Sequence, residues 1–496
     1  MTATVAPAVA AASPLAGFGE FAAGTVAKYR IPAVAVAAAH AGQTLFEGGF
    51  GHRDAARTLP VTPDTIFGIG SVSKIFTAIA VLQLQEAGRL AVTDPVTRWL
   101  PAFRLPRGGG ASAVDHTPAV TLHHLLTHTS GLPPEYAMRS ARLGSMRTDP
   151  DLPWMTVPPR LRRAVAEDTP ISTYAALIDL VGGLGATPLA PPGQLFSYSN
   201  EGYALLAAIV ERAADLSFAE YLAQGVTTPL GLTHTACLTP DYAPASDVAL
   251  VYSRGTRAGQ PGIYPSPHWW TCGRIFGHGS MVSTARDLLR LLNLLLGGGE
   301  LDGARLLCPD SVPAMAARHA AIPTGGFYGY ALMVQPDYAG LPGVDVIGHG
   351  GGSKGVSAYT AFEPRSGAAA VGLASLASAP TQLVAGGALS ALLGLPFTAR
   401  PRAFPALDVP PTVLAEYAGA YRSEDGATIT IGVEGAALTA LTEDLPLVKA
   451  RPYAPDSFVV PGADLTARFL RDDHGAIWAI HTGLRAYRRT GGSESE

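Results

Sequence analysis

Lysine is nearly absent from this chain of 496 residues: it occurs only at positions 28, 74, 354 and 449, and the other 31 basic residues are arginines. Because lysine can lose its proton in a dehydrated site whereas arginine stays charged, each lysine merits individual inspection. Charge of both signs is scarce, at 15% of residues, and 35 basic against 39 acidic residues give a net charge of -4. Without a basic excess the chain cannot follow a phosphate backbone, so we expect no nucleic-acid partner.

Cysteine is equally scarce. Cys237, Cys272 and Cys308 are too few and too scattered for a disulfide framework, and they lack the spacing of a zinc site. We therefore expect buried thiols in a reducing compartment, a cytoplasmic location, and neither a metal nor an organic cofactor. The N-terminus agrees with this expectation, because no basic residue precedes Lys28 and a secretory signal needs a positive first segment.

A convincing membrane span is missing as well. Residues 366–397 carry no charge, but Pro380 and repeated glycine, alanine and serine make this stretch a poor transmembrane helix. We interpret it as a buried strand over residues 368–376 followed by a buried helix over about 382–393. No membrane association is expected.

Apolar residues make up 48% of the chain, which permits a sizeable core. Two strands are predicted at residues 31–38 and 43–51, a helix at 71–87 ending at Gly88, further helices through the middle, and strands again between 327 and 376. The Pro/Gly/Arg-rich stretches 106–117 and 135–169 are predicted to be long loops that could form a lid. This order predicts an α+β fold, an antiparallel sheet flanked by helices with a helical subdomain.

The last part of the chain has a different pattern. Beyond a Pro-rich linker at residues 401–411, short strand-like runs separated by turn signals predict a small all-β barrel over residues 412–490. Residues 1–400 would then form the first domain, and residues 491–496 a disordered tail. In so short a module we expect side chains to fill the barrel, which favours a packing or substrate-restricting role.

The strongest chemical signal is Ser71-Val72-Ser73-Lys74 at the start of the long predicted helix. Positions i and i+3 share a helical face, so Ser71 and Lys74 can point into one cleft. The helix N-terminus favours an alkoxide on Ser71 and disfavours a proton on Lys74. A dehydrated lysine there can serve as the general base that a serine nucleophile needs. The alternative is a surface pair in a first helical turn.

Two further motifs are weaker when taken alone. In Tyr198-Ser199-Asn200, a tyrosine beside an ammonium would lose its phenolic proton more easily and could shuttle it to a leaving group. In Gly348-His349-Gly350-Gly351, glycines at a strand end permit close backbone approach. An ordinary loop tyrosine and a plain glycine-rich turn are the structural alternatives.

Together and in this order, the three motifs resemble those of the serine β-lactamase and penicillin-binding-protein superfamily. The resemblance is closest to the class C β-lactamase-like branch, with its family VIII esterases, D-aminopeptidases and DD-peptidases, and it covers roughly residues 20–395. Stretches similar to family signatures are FGIGS at 67–71, DPV at 94–96, LLTHTSGLP at 125–133, and residues 198–206. The C-terminal module, which begins with YAGAY at 417–421, looks like the lipocalin-like domain appended to some members.

The resemblance implies roles for these residues. Ser71 would form an acyl-enzyme, Lys74 and Tyr198 would share the proton transfers, and Asn200 would hold the substrate amide and Lys74. His349, Gly350 and Gly351 would bind substrate, and the backbone N–H groups of Ser71 and Gly352 would form the oxyanion hole. Whether Lys74 or Tyr198 is the acylation base stays open at this stage.

Two positions depart from the family pattern. His349 stands where many members have lysine, and a mostly neutral histidine weakens the case for substrates with a carboxylate. Lys354 could restore that charge. Glu135 occupies the place of a substrate-binding glutamine, and its carboxylate would attract an amine. We therefore expect esters or amides with a neutral or amino-bearing acyl group.

The sequence also contains motifs of other families. Gly351-Gly352-Ser353-Lys354-Gly355 fits the nucleophile elbow G-x-S-x-G, but a strand rather than a helix is predicted after it. The histidines at positions 123, 124 and 128 are interpreted as residues of packing and loop hydrogen bonds rather than as metal ligands. We expect a serine hydrolase acting on a small-molecule ester, amide or short peptide, of the esterase or D-amino-acid peptidase or amidase type. A β-lactamase or DD-carboxypeptidase is one alternative, and a catalytically silent binding or assembly protein is another.

Overall fold

The computed structural model describes residues 13–105, 115–184, 188–239, 242, 247–442, 447–463 and 465–490. The helices in these ranges are α1 Phe18–Lys28, α2 Ser73–Glu86, α3 Val96–Trp99, α4 Leu122–Leu126, α5 Tyr136–Arg147, α6 Pro159–Glu167, α7 Tyr174–Gly182, α8 Asn200–Ala214, α9 Phe218–Leu222, α10 Ala285–Leu296, α11 Ser311–Ala316, α12 Thr381–Leu392 and α13 Pro411–Leu414. Among these helices, none combines the length and the apolar character needed to cross a bilayer.

An antiparallel sheet in the order β10-β11-β12-β13-β14-β15-β1-β2 forms the centre of the first part of the chain. The strands up to this point are β1 Ala33–His40, β2 Gln43–Gly51, β3 Phe67–Gly68, β4 Ala236–Cys237, β5 Tyr252–Arg257, β6 Gln260–Pro265, β7 Met281–Ser283, β8 Glu300–Leu301, β9 Ala304–Arg305, β10 Ala320–Ala321, β11 Phe327–Tyr328, β12 Met333–Gln335, β13 Val346–Ser353, β14 Val356–Glu363 and β15 Ala368–Ala374. The N-terminal hairpin therefore pairs with the strands that return at the end of the sheet, as the sequence predicts.

Both faces of this sheet are covered by helices, which explains why β1 is apolar and buried from Ala33 to Ala39. Val34 and Val36 pack with α1 and α12 on one face, whereas Ala35 and Ala37 belong to the larger core that contains α2 and α10 on the other. The charge-free stretch that follows β14 forms β15 and the buried helix α12. The predicted α+β sheet with flanking helices is confirmed.

Helix α2 carries the predicted nucleophile motif into the core. The 3₁₀ turn Gly70–Val72 leads directly into α2, so Ser71 lies one turn before the α-helix proper. The helix ends at Glu86, and Gly88 follows two residues later with a φ of 67°, donating its N–H to the carbonyl of Gln85 over 2.9 Å. A glycine stops the helix here because it accepts the left-handed conformation without steric cost.

The predicted loop over residues 135–169 is mostly helical, which corrects that expectation. It contains α5 and α6, and α6 begins at Pro159. Proline is well tolerated at the first helical position because its missing N–H would have no partner there in any case. The Pro-Pro pair at 158–159 is therefore a helix start rather than a loop signal.

The C-terminal strands close into a barrel, and this part of the fold prediction is confirmed. The barrel order is β16-β17-β18-β19-β20-β21-β22-β23, and pairing of Tyr421 with Arg489 joins the first strand to the last. The strands are β16 Gly419–Arg422, β17 Thr428–Glu434, β18 Ala437–Thr442, β19 Val448–Ala454, β20 Ser457–Val460, β21 Leu465–Arg471, β22 Ile477–Thr482 and β23 Arg485–Arg489.

The segment between sheet and barrel has neither helix nor strand over residues 401–410. It is fastened to the barrel, because Leu407 N–H donates to the carbonyl of Pro452 and Arg451 donates to that of Phe404. The domain limits 1–400, 401–411 and 412–490 stay a prediction. The predicted tail 491–496 and residues 106–114 of the first predicted loop lie outside the described residues.

Candidate active site

Ser71 and Lys74 point into one recess, as their spacing predicts. The Lys74 Nζ lies 3.1 Å from the Ser71 Oγ, 2.8 Å from the Asn200 Oδ1 and 2.5 Å from the carbonyl oxygen of His278. The Lys74 side chain is completely buried. The first turn of α2, the start of α8 and the segment before β7 therefore meet at this single amine.

Burial also changes the acidity of this amine. Loss of hydration lowers the pKa of Lys74 well below its usual value, and the nearby positive charges of Arg485 and Arg142 lower it further. The carboxylate of Glu201 acts in the opposite direction. The site therefore favours a neutral amine, which can accept a proton.

Tyr198 lies beside this amine, with its ring centre 4.8 Å from the Lys74 Nζ. Burial raises the pKa of the Tyr198 phenol, and the Ser71 hydroxyl and the Arg485 charge offset this only in part. The expectation that a neighbouring ammonium would help this phenol to ionise is therefore wrong, because dehydration outweighs the attraction. The hydroxyl is buried, and among the described residues it has no partner at regular hydrogen-bond geometry.

The glycines of β13 let this strand pass unusually close to the nucleophile turn. A Cβ atom on Gly351 would lie 2.0 Å from the carbonyl oxygen of Ile69 and 3.2 Å from the backbone nitrogen of Ser71. On the other side of the contact, a Cβ on Gly70 would lie 2.6 Å from the backbone nitrogen of Gly352. Backbone atoms of Gly352 and Ser71 therefore face the same small space.

His349 belongs to β13, but its buried side chain is not among the groups that line the recess in front of Ser71. Its Nε2 is 3.0 Å from the Tyr328 hydroxyl, which is 3.2 Å from the Nε2 of His128. The Nδ1 of His128 accepts the N–H of Ser199, and the Nδ1 of His349 donates to the carbonyl of Gly350. These bonds assign one neutral tautomer to each ring, with Tyr328 donating to His349.

The electrostatics agree with neutral rings. Burial lowers the pKa of His349 to about 3, and the nearby Lys74 contributes to this shift. Burial also lowers the pKa of His128 well below its usual value. His349 therefore supports the backbone and the Tyr198 side of the site, and it offers no charge to a substrate.

Glu135 does not present a free carboxylate. Its Oε1 pairs closely with Arg142 and accepts a weak hydrogen bond from the Asn200 Nδ2 at 3.4 Å. Its Oε2 is 3.1 Å from a guanidinium nitrogen of Arg485. Two guanidinium groups thus surround one carboxylate, and the cluster carries a net positive charge. This overturns the expectation that Glu135 would attract an amine.

Lys354 is engaged elsewhere. Its buried Nζ lies 2.5 Å from the Oδ2 of Asp149 and donates to the carbonyl of His268 over 2.7 Å. The same carboxylate accepts the indole N–H of Trp270. Lys354 therefore does not restore a free charge. Asp149 also belongs to a group with Asp151 and His268 whose possible ligand atoms lie within 4.8 Å of one another. The Lys354 ammonium already pairs with the carboxylate of Asp149 in this group.

The barrel reaches the site through the turn between β22 and β23. The carbonyl of Leu484 accepts the N–H of Tyr198 over 2.9 Å, and the carbonyl of Gly483 accepts the Thr324 hydroxyl over 3.1 Å. The Leu484 side chain packs on the cluster that contains Tyr198. The next residue is Arg485, which contacts Glu135 as described above. A segment of the C-terminal module is therefore part of the candidate site.

Glu201 fixes the opposite wall. Its buried carboxylate accepts the N–H groups of Ala137 and Met138 over 2.9 and 3.2 Å, at the first turn of α5. Burial raises the pKa of Glu201 to about 7. This contact ties the start of α5, and with it Glu135, to the start of α8.

The recess in front of Ser71 has a volume of about 70 Å³, and both Trp269 and Trp270 line it. Ser353, the serine of the G-x-S-x-G pattern, lies at the end of β13 in the hairpin to β14, so the strand–turn–helix of a nucleophile elbow is not formed. The predicted residues Ser71, Lys74, Tyr198 and Asn200 are brought together, with Gly351 and Gly352 beside them.

Several neighbours were not identified from the sequence. They are Arg142, Arg485, Glu201 and Tyr328, whereas His128 was interpreted as a residue of packing and loop hydrogen bonds. Glu201 directly follows Asn200 and His128 lies in the stretch 125–133, so local signals existed for these two. No local signal marks Arg485, which lies 350 positions from its partner Glu135.

Comparison with known proteins agrees with this architecture. The family model described as Beta-lactamase matches residues 18–393. Penicillin-binding protein 4 of Amycolatopsis lactamdurans is 30% identical over 378 residues, which cover 74% of this chain and 87% of that protein. Esterase EstB of Burkholderia gladioli is 32% identical over 295 residues, 53% of this chain and 65% of that protein.

A solved structure resembles the whole chain, including the barrel. The octameric penicillin-binding protein homologue from Pyrococcus abyssi is 25% identical, with a TM-score of 0.65 over 96% of this chain and 99% of that chain. The family model matches residues 18–393, and the match to the Amycolatopsis lactamdurans protein covers 87% of that relative. The protein therefore belongs to the beta-lactamase family.

Proposed function

We propose that this protein is a serine hydrolase that cleaves an ester or an amide through an acyl-enzyme on Ser71. The observation that carries the proposal is the buried Lys74 amine, 3.1 Å from the Ser71 hydroxyl and with a pKa well below its usual value. A surface serine–lysine pair would show neither the burial nor the lowered pKa. Family relatives named esterase and penicillin-binding protein support the same class of reaction.

The contacts of Lys74 favour it as the acylation base. A neutral amine has two N–H donors and one lone pair, and the two donors can go to the Asn200 Oδ1 and the carbonyl of His278. The lone pair then faces the Ser71 hydroxyl. Ser71 Oγ attacks the substrate carbonyl carbon while its proton passes to the Lys74 Nζ, and an oxyanion forms on the former carbonyl oxygen.

Tyr198 is better suited to donate a proton than to accept one, because burial keeps its phenol protonated. In this proposal it hydrogen-bonds the leaving oxygen or nitrogen, which departs with a proton that ultimately comes from Lys74. The backbone N–H groups of Ser71 and Gly352 would stabilise the oxyanion, a contribution of several kcal/mol in such sites. Water then attacks the acyl-enzyme in the reverse sequence and releases the acid.

The recess limits the substrate. A volume of about 70 Å³ suits a short acyl group, and the net positive cluster of Arg142, Glu135 and Arg485 disfavours an ammonium near it. We therefore propose small esters, amides or short peptides whose acyl group is neutral or anionic. Nitrophenyl esters of acetate, succinate (as the monoester) and β-alanine test this order directly. Faster turnover of the β-alanine ester would refute it, and dominant turnover of a cephalosporin would favour the β-lactamase alternative.

A cytoplasmic location is proposed on the thiols. Cys237 and Cys272 are buried and free, whereas Cys308 is exposed and free, which corrects the expectation that all three thiols are buried. An exposed free thiol is better kept in a reducing compartment. Cell fractionation of the native producer would test this location.

Labelling with a fluorophosphonate probe separates an active enzyme from a silent binding protein. The intact protein should label at one residue, the Ser71→Ala variant should not label, and Lys74→Met should label far more slowly. Intact-mass detection of an acyl-enzyme with the acetate ester gives the same answer with substrate. Failure of the folded wild-type protein to label would reject the hydrolase proposal.

A further inference from the structure

The C-terminal barrel is not filled by its own side chains. It encloses a cavity of about 290 Å³, lined mainly by apolar groups that include Ile429, Leu438, Phe458, Phe469 and Ile480. This volume is close to the lower end of the range of small-molecule sites, about 300 Å³. The expectation of a side-chain-filled barrel is therefore wrong.

Small residues at inward positions explain the empty space. Side chains of a barrel strand alternate between the interior and the exterior, and the strand residues Ala440, Ala450 and Ala467 all line the cavity. On β18 the alternation is clear, because Ala440 lines the cavity whereas the next residue, Leu441, is 51% exposed.

The cavity extends to the part of the barrel that touches the candidate active site. Thr482, Gly483 and Tyr487 line it, and they belong to the β22–β23 hairpin. The tip of the same hairpin supplies Arg485 to Glu135. Arg160, on helix α6 of the first part of the chain, also lines the cavity, so both parts of the molecule border it.

We propose that the barrel binds a linear aliphatic molecule of roughly ten heavy atoms, and that its binding changes turnover at Ser71 through the β22–β23 hairpin. The size is obtained by dividing the cavity volume by about 30 Å³ for each heavy atom with its hydrogens, which is the volume that one water molecule occupies in the liquid. Because the lining is mainly apolar, an aliphatic chain that binds there removes apolar surface of both partners from water. The effect on turnover depends on the proposed hydrolase function, whereas the binding site does not.

The hairpin provides the physical connection between the two sites. A chain in the cavity would contact Gly483, whose neighbours in sequence hold Tyr198 and Glu135. Occupancy can change turnover only if the ligand binds more tightly when the hairpin is in one position than when it is in another. A shift of the Arg485 guanidinium would alter the charge near Lys74 and thereby the strength of the base.

Binding is tested on the full-length Ser71→Ala variant, in which an alcohol cannot be acylated. Titration calorimetry with 1-nonanol should give one saturable site, and 1,9-nonanediol, with a polar group at each end, should bind at least about tenfold more weakly. Ala450→Phe fills the cavity and should weaken nonanol binding by about tenfold or more, and the milder Ala440→Leu serves if that variant does not fold. Leu441→Phe, on the same strand but outside, should leave binding within about twofold of its parent.

Turnover is measured on the protein with Ser71 intact, with a nitrophenyl acetate ester. Saturating nonanol should change kcat or KM by about twofold or more, and Ala450→Phe should abolish this response. Absence of saturable binding, or equal binding to the filled barrels, would overturn the proposed site. Normal binding with unchanged turnover would overturn the connection through the hairpin. If the protein hydrolyses no ester at all, the calorimetric result still decides whether the site exists.

Discussion

The close approach of β13 to the nucleophile turn makes Gly351 the most informative residue to replace. An alanine Cβ at this position would lie 2.0 Å from the carbonyl oxygen of Ile69, about 1 Å short of the 3.0 Å below which such contacts essentially never occur. The obstacle is backbone rather than a flexible side chain, so strand or turn must move. We expect Gly351→Ala to separate β13 from the turn that carries Ser71.

The size of the effect follows from what this contact holds. Displacements of about 1 Å in an active site typically reduce turnover by about 100-fold, and loss of one oxyanion donor costs 100- to 1,000-fold. The displacement moves Gly352 away from Ser71, which combines both causes. We expect kcat/KM for a small ester to fall by at least about 100-fold, equivalent to about 2.7 kcal/mol of transition-state stabilisation.

The neighbouring glycine provides the matched control. A Cβ on Gly350 would meet only the carbonyl oxygen of Ala358, at 3.9 Å, so Gly350→Ala makes the same chemical change without the collision. Its loss of kcat/KM should be at least about tenfold smaller than that of Gly351→Ala. Kinetics of nitrophenyl acetate hydrolysis are combined with circular dichroism and a thermal melt for both variants. A folded Gly351→Ala protein with kcat/KM within threefold of wild type would refute the reasoning.

Three further results are expected. Since the base must be neutral, kcat/KM should rise with pH through a Lys74 pKa that lies below the usual lysine value. Arg485→Ala removes a nearby positive charge and should move this rise to higher pH, whereas Arg485→Lys keeps the charge and should not. An unmoved pH profile of Arg485→Ala would count against the electrostatic argument. Burial raises the pKa of Glu201 from 4.5 to about 7, so its contribution to stability is complete below pH 4.5 and is lost as pH rises through 7. In urea unfolding, the free energy of unfolding of wild type should fall by about 3 kcal/mol relative to that of Glu201→Gln between these limits. Parallel dependence of the two free energies on pH would contradict this. Asp149→Asn removes the carboxylate that pairs with the buried Lys354 ammonium and should lower the free energy of unfolding by about 3 kcal/mol. The double variant with Lys354→Met should recover part of this loss. Equal stability of the single variant and wild type would exclude a paired buried charge.

The central chemistry could be predicted because it is local in sequence. Ser71 and Lys74 are three positions apart on consecutive helical turns, so their proximity follows from helix geometry alone. The apolar pattern of β1 and its neighbours likewise determines that they form strands, and the glycine after α2 determines where that helix ends. These features depend on contacts within a few residues.

The helices α5 and α6 were missed for a physical reason. Their stretch is rich in arginine and flanked by proline, which is typical of loops, but Pro159 lies at a helix start and Glu201 accepts the free N–H groups of the first turn of α5. The partner that stabilises this turn is on another helix. Sequence periodicity within the stretch could not reveal it.

The environment of Glu135 was missed for a related reason. Glu135 lines the recess in front of Ser71, but the effect of its carboxylate depends on Arg142 and Arg485, of which the second lies 350 positions away on the barrel. A pattern that predicts a hairpin gives no indication of what the hairpin tip will touch. The sign of the local charge was therefore predicted wrongly although the residue was identified.

The barrel is thus part of the electrostatics of the candidate site rather than an appendage to it. Its hairpin tip accepts the N–H of Tyr198 at Leu484 and brings Arg485 close enough to lower the pKa of Lys74. Without this tip, the positive charge of Arg485, which helps to keep Lys74 neutral, would be lost. The amine would then hold its proton more firmly and accept one from Ser71 less readily. The strength of the base at the start of α2 therefore depends on a turn near the end of the chain.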